Sequence, residues 1–195
     1  MNVDEMHIDL LSASAHKFHG PKGVGALYVR RGVRLVNFMD GGAQEKKRRA
    51  GTENIPGVIG FATAIQVATE NREINRTKYE HFKALLIKQF DEAKISYKVN
   101  GVVDTALPHV FNVSFPGADV ESFLINLDMA GVFVSSGSAC TAGSIDPSHV
   151  LVAMFGEGAA ELRNSIRFSF GQGLTDEDII EAGRRTADIV KRLVR

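Results

Sequence analysis

The chain has 195 residues, 44% hydrophobic and 24% charged, the profile of a globular protein with room for one large core or two small ones. Its 23 Lys and Arg balance 23 Asp and Glu, so overall charge argues against nucleic acid or an anionic membrane surface as partner. No apolar run approaches the ~20 residues of a membrane span. Asp4 and Glu5 stand where a secretory leader would be basic, and the single cysteine, Cys140, excludes an internal disulfide and fits a reducing compartment.

Taken in chain order, Met1 to Asp9 is short and polar, and Ile8, Leu10 and Leu11 read as the end of a buried strand. Ser12 to Gly23, S-A-S-A-H-K-F-H-G-P-K-G, follows at once, so Lys17 is expected where strand becomes loop, a common place for ligands in α/β sheets. A lysine in a cleft there loses its proton more easily and can condense with a carbonyl, while Ser14 and His16 can hydrogen-bond an anion such as phosphate. The alternative is a basic surface turn.

Val24 to Val29 reads as a strand, Arg30 to Gly32 as a turn and Val33 to Phe38 as its hairpin partner. A Gly- and charge-rich loop from Asp40 to Asn54 follows, with Asn54 placed to cap a helix and Pro56 in its first turn. Residues 57–93 are helical in pattern, with Phe82, Leu85, Leu86 and Phe90 on one stripe and a polar middle from Glu70 to Lys78 suited to a break.

Beyond them, Ile95 to Val99 and His109 to Phe115 read as strands. Val120, Phe123, Leu124 and Leu127 mark an amphipathic helix that Gly131 can end. Val132 to Ser135 reads as a short strand and Pro147 to Phe155 as a short helix. In Ser165 to Phe170, Ile166, Phe168 and Phe170 alternate with Arg167 and Ser169, and Thr175 with Asp178 forms a capping box before the last helix. The order implies the end of a larger α/β domain (1–56), a connecting helix (57–93) and a complete small α+β domain (94–195).

Ser135 to His149, S-S-G-S-A-C-T-A-G-S-I-D-P-S-H, surrounds Cys140 with small residues and no apolar period, the setting of an accessible, reactive thiol rather than an inert core one. His149 is a candidate assistant. Cys140 with His149 lacks the second pair of a structural zinc site, so no metal is expected.

S-x-S-A-H-K-x-x-G-P-K-G-x-G-A-L-Y-V and S-S-G-S-A-C-T-x-G-S-x-x-P-S-H-V-L resemble the lysine and cysteine segments of group I cysteine desulfurases, pyridoxal 5'-phosphate enzymes related to class V aminotransferases. The resemblance implies a fold type I transferase, here the C-terminal part of its large domain plus the small domain. It implies that Lys17 bonds the cofactor, that Ser14 and His16 hold its phosphate, and that Cys140 takes sulfur from L-cysteine as a persulfide. Arg167, in N-S-I-R-F-S-F-G, matches the arginine that binds the substrate carboxylate, with a surface-strand arginine as alternative. Thr52, in R-A-G-T-E-N, matches a threonine that reaches a neighbouring subunit's cofactor phosphate, with a helix N-terminal hydroxyl as alternative. Ala43 departs from the more usual glycine of G-G-G-Q-E.

The resemblance further implies a homodimer, an iron–sulfur scaffold or other sulfur acceptor, and a cytoplasmic site, or the mitochondrial matrix in a eukaryote. It covers the C-terminal half of the family pattern. The family's ring-stacking His, its Asp partner to the ring nitrogen and its Gln near the phenolic oxygen have no counterpart here, so the chain is expected to be half of an assembly or a truncated product. The rival readings are a selenocysteine lyase, a class V aminotransferase, or a module that carries sulfur without the cofactor.

Overall fold

A computed structural model describes residues 2–102, 106–137 and 147–194. The chain divides into two compact units, Met1–Glu73 and Ile74–Arg195.

In the first unit, strand β1 (Leu10–Ser14) pairs antiparallel with β2 (Gly25–Val29), in the register Leu10↔Val29 to Ser14↔Gly25. The hairpin expected between β2 and Val33–Phe38 is not formed: residues 33–38 contain no strand, and the hydrogen bonds of β2 go to β1. Arg30, just beyond β2, explains what the chain does there. Its guanidinium pairs with Asp4 at 2.8 Å and Asp9 at 2.9 Å and donates to the carbonyls of Val3 and Ile8, so residues 3–9 are tied to the end of β2. The bond to Asp4 raises the Arg30 pKa. Nor is β1 the buried strand expected, since Leu10 is 46% exposed.

A short turn, α1 (Gln44–Lys47), is left-handed at Glu45, Lys46 and Lys47, with φ of 48°, 57° and 63°. Helix α2 (Ile55–Glu70) begins as its sequence predicts, the Asn54 side chain accepting from the Gly57 amide with Pro56 in the first turn. Asn71 separates α2 from α3 (Arg72–Glu92), so the break falls at the start of the polar middle.

The second unit packs α3, α4 (Val120–Met129) and α7 (Asp176–Leu193) against an antiparallel sheet of order β3-β4-β5, built from Lys98–Val99, Val110–Ser114 and Ser165–Ser169. Period 3.6 on α3 puts Tyr79, Phe82, Leu86 and Phe90 on one buried face. Period 2 on the strands puts Phe111, Val113, Ile166 and Phe168 on the matching face of the sheet. Two shorter helices, α5 (His149–Phe155) and α6 (Glu161–Asn164), lead into β5. The strand expected at Val132–Ser135 is reduced to one bridge, Ser135 to Arg167.

Helix α7 starts on a complete capping box. The Thr175 hydroxyl accepts from the Asp178 amide at 3.2 Å, and the Asp178 carboxylate accepts from the Thr175 amide at 2.9 Å. Thr175→Ala is expected to lower stability by about 1 kcal/mol in urea unfolding, because it leaves the Asp178 amide without its acceptor.

Candidate functional site

Between β1 and β2 the chain makes a tight reversal that displays Lys17. After Ser14 it enters a 3₁₀ turn, Ala15–Phe18, which ends at His19 with a left-handed φ of 67°. Ala15 is fully buried and receives the Gly20 amide on its carbonyl at 2.9 Å. A side chain at position 20 would sit 2.8 Å from the Ala15 methyl, and one at position 25 would sit 2.7 Å from the Ala13 carbonyl, so both places need glycine. Phe18 meets Phe61 of α2 edge-on at 5.1 Å between ring centres, and Pro21 lies against Gly60. The turn is thus anchored on a helix by its apolar members, while Ser14, His16 and Lys17 stay exposed. Lys17 is exposed within this unit.

The donor set still suits pyridoxal phosphate. A hydroxyl, an imidazole and an amine lie within four residues, and no acidic residue occurs between Leu10 and Asp40. Donors on a stretch that carries no carboxylate of its own suit a phosphate dianion, and the amine suits an aldehyde.

Thr52 is exposed, in the loop two residues before Asn54. It does not cap α2, since that role belongs to Asn54. The loop is braced by the Gln44 side-chain carbonyl, which accepts from the Gly51 amide at 3.3 Å, and by Asn37, which donates to the Lys47 carbonyl at 2.7 Å.

In the second unit, Arg167 is partly buried on β5 and faces a cavity of about 640 Å³. The same cavity is lined by Ser136 and Gly137 on one side of the cysteine segment and by Pro147, Ser148 and His149 on the other. Cys140 itself, with the rest of residues 138–146, lies outside the described residues. The backbone of Arg167 exchanges hydrogen bonds with Ser135, its amide donating to the Ser135 carbonyl at 2.6 Å. Two stretches that sequence reading treats separately, the arginine strand and both stems of the cysteine segment, therefore meet at one cavity. Among the described residues, the Arg167 Nε is buried without an acceptor.

The remaining wall was not anticipated. Asn100 and Asn112 line the cavity beside Arg167, with Val110, Leu151 and Met154 supplying apolar surface. The alternation of His109 to Phe115, with Asn112 and Ser114 on the polar side, was the available signal. Lys98 holds α5 and α6 to β3: its ammonium lies 5.0 Å above the Phe155 ring and 2.8 Å from the Glu161 carboxylate, and that bond keeps the Glu161 carboxyl below the usual range.

Near Arg167, burial lowers the His109 pKa, and the charges of Lys83 and Arg167 lower it further. Lys83, only 8% exposed, donates to the Leu107 carbonyl at 2.9 Å, and its own pKa falls through burial. This flank of β4 favours neutral histidine.

The Aminotransferase class-V family model matches residues 1–181. The chain is 53% identical over 193 residues to a Bacillus subtilis (strain 168) protein of the IscS name, covering 99% of the chain and 51% of that relative. It is 42% identical over 195 residues to the cysteine desulfurase IscS of Dictyoglomus turgidum, covering 100% of the chain and 48% of the relative. Among solved structures it resembles a NifS-like protein, with TM-score 0.84 and 29% identity over 99% of this chain and 49% of the other. A NifS-like protein from Rickettsia africae gives TM-score 0.81 and 30% identity over 98% and 50%. The chain spans about half the length of the curated relatives it matches.

Proposed function

The chain belongs to the class-V aminotransferase family, and from that premise we propose that it is the lysine- and cysteine-bearing half of a cysteine desulfurase. The observation that carries the proposal is the shared cavity: a carboxylate-binding guanidinium and both stems of the Cys140 segment line one space with ample room for a small amino acid.

Ser14 and His16 would hold the phosphate of pyridoxal 5'-phosphate, and the Lys17 amine would engage its aldehyde. Thr52 serves the phosphate of a second copy in a homodimer. When bound, the cofactor supplies the electron sink that makes the substrate's α-carbon acidic. Arg167 pairs bidentately with the carboxylate of L-cysteine and orients it. The Cys140 thiolate takes the substrate sulfur as a persulfide, and the electron pair of the broken C–S bond stays on the carbon that becomes the methyl of alanine. The persulfide passes to an iron–sulfur scaffold or another acceptor protein. Among the described residues no helix is long and apolar enough to cross a membrane, which is compatible with work in the cytoplasm.

The test is a chimaera in which this chain replaces the matching half of the Dictyoglomus turgidum relative. L-cysteine, with an excess of a dithiol to reduce the persulfide, is expected to yield alanine and sulfide, and borohydride treatment followed by peptide mapping to place the cofactor on Lys17. A folded chimaera that absorbs as a pyridoxal protein but forms no alanine defeats the reading, and a label on another lysine defeats the Lys17 assignment.

A further inference from the structure

The sheet of the second unit has two unlike faces. Phe111, Val113, Ile166 and Phe168 form the core face, so Asn112, Ser114, Ser165 and Arg167 share the other. On that face Asn112 stands directly opposite Arg167. Asn100, whose amide donates to the Asn112 carbonyl at 2.9 Å, continues the row on the far side.

A chain of hydrogen bonds decides which way the Asn112 side chain is turned. The Glu161 carbonyl only accepts, so Ser165 spends its single proton there. Ser165 Oγ must then accept, and it does so from Asn100 Nδ2 at 2.9 Å. This identifies the nitrogen of Asn100, which also donates to Ser114 Oγ at 2.8 Å, while Ser114 gives its own proton to Ser165 at 2.8 Å. The same nitrogen lies 2.7 Å from Asn112, so the Asn112 atom facing it is the acceptor Oδ1. Asn112 Nδ2, with its two protons, is left on the side away from Asn100, in a cavity wall shared with Arg167. Arg167 Nε is itself a buried donor lacking an acceptor among the described residues. Asn112 and Arg167 thus bring donors from two neighbouring strands to one cavity, and a carboxylate, with two oxygens and about four lone-pair sites, can accept from both.

We propose that Asn112 is a second binding residue for the substrate carboxylate, donating from Nδ2 to one oxygen while Arg167 holds the carboxylate as its counter-ion, with Asn100 as the positioning residue that orients the amide. This rests on the reading of Arg167 as the carboxylate anchor. Recognition is therefore of an α-amino acid as such, with the amide setting how the carboxylate lies across the guanidinium.

Asn112→Asp keeps the shape and the acceptor that Asn100 requires, removes the donor and adds a like charge. In the chimaera it is expected to raise KM for L-cysteine by about 10- to 100-fold or more, with kcat within about threefold because the chemical groups are untouched. Asn112→Ser, which keeps a shorter donor, is expected to fall between. An unchanged KM for Asn112→Asp overturns the proposal, as does a loss confined to kcat. Should the variants fail to fold, nuclear magnetic resonance of the unsubstituted protein decides: the Asn112 side-chain amide signals are expected to shift with L-alanine and not with ethylamine. Signals that stay in place overturn the proposal. A chimaera that makes no alanine counts against the desulfurase reading instead, and the L-alanine titration still decides the role of Asn112.

Discussion

Cys140→Ala is expected to lower alanine formation from L-cysteine by on the order of 10³-fold or more in the chimaera, with the cofactor's absorbance and its attachment to Lys17 unchanged. The two effects separate because the proposed function gives sulfur removal to the thiol and the cofactor to the lysine turn. Lys17 is carried by a reversal packed on α2 through Phe18 and Pro21, and the cysteine segment is joined at Ser135 to β5 in the other unit. Serine at position 140 is expected to be as poor as alanine, since a hydroxyl is a weak nucleophile without a base to activate it. Full turnover by Cys140→Ala would instead favour an aminotransferase, which needs no thiol. Persulfide accepted from another desulfurase by a protein without pyridoxal absorbance would favour a sulfur carrier.

The second large effect concerns stability. Phe90→Ala is expected to cost about 3–5 kcal/mol, a large part of the 5–15 kcal/mol that holds a typical domain together. Phe90 is fully buried, meets Tyr97 and Phe115 edge-on at 5.4 Å each, and lies 6.3 Å from the Phe168 ring. It therefore joins α3, the segment before β3, the end of β4 and β5 at one point, and an alanine there leaves a void that four elements cannot close together. The expected observations are a large fall in the urea midpoint and loss of near-ultraviolet dichroism. Phe90→Leu, which keeps most of the volume, is expected to cost clearly less. A fall of under about 1 kcal/mol for the alanine variant would contradict the packing described. Phe168 adjoins Arg167 in sequence, so loosening this core is also expected to weaken the grip on the carboxylate before the unit unfolds.

Local order was legible without coordinates wherever one short window contained the whole cause. The stripe of Phe82, Leu86 and Phe90, the alternation from Ile166 to Phe170, the Asn54 cap and the Thr175–Asp178 box each need only neighbours within a few turns, and all are present. The candidate residues were legible as motifs, because hydroxyl, imidazole, amine and thiol chemistry is written in residue type.

Tertiary structure alone decided the partners. β2 pairs with β1 rather than with residues 33–38 because Arg30 binds the chain behind it, a choice between competing long-range bonds that no periodicity encodes. The row of Asn100, Asn112 and Arg167 joins residues up to 67 positions apart, and the direction in which Asn112 points is set by Ser165 and the Glu161 carbonyl. Amino-acid order determines what each side chain can donate or accept; only the sheet register determines which of them face the same space.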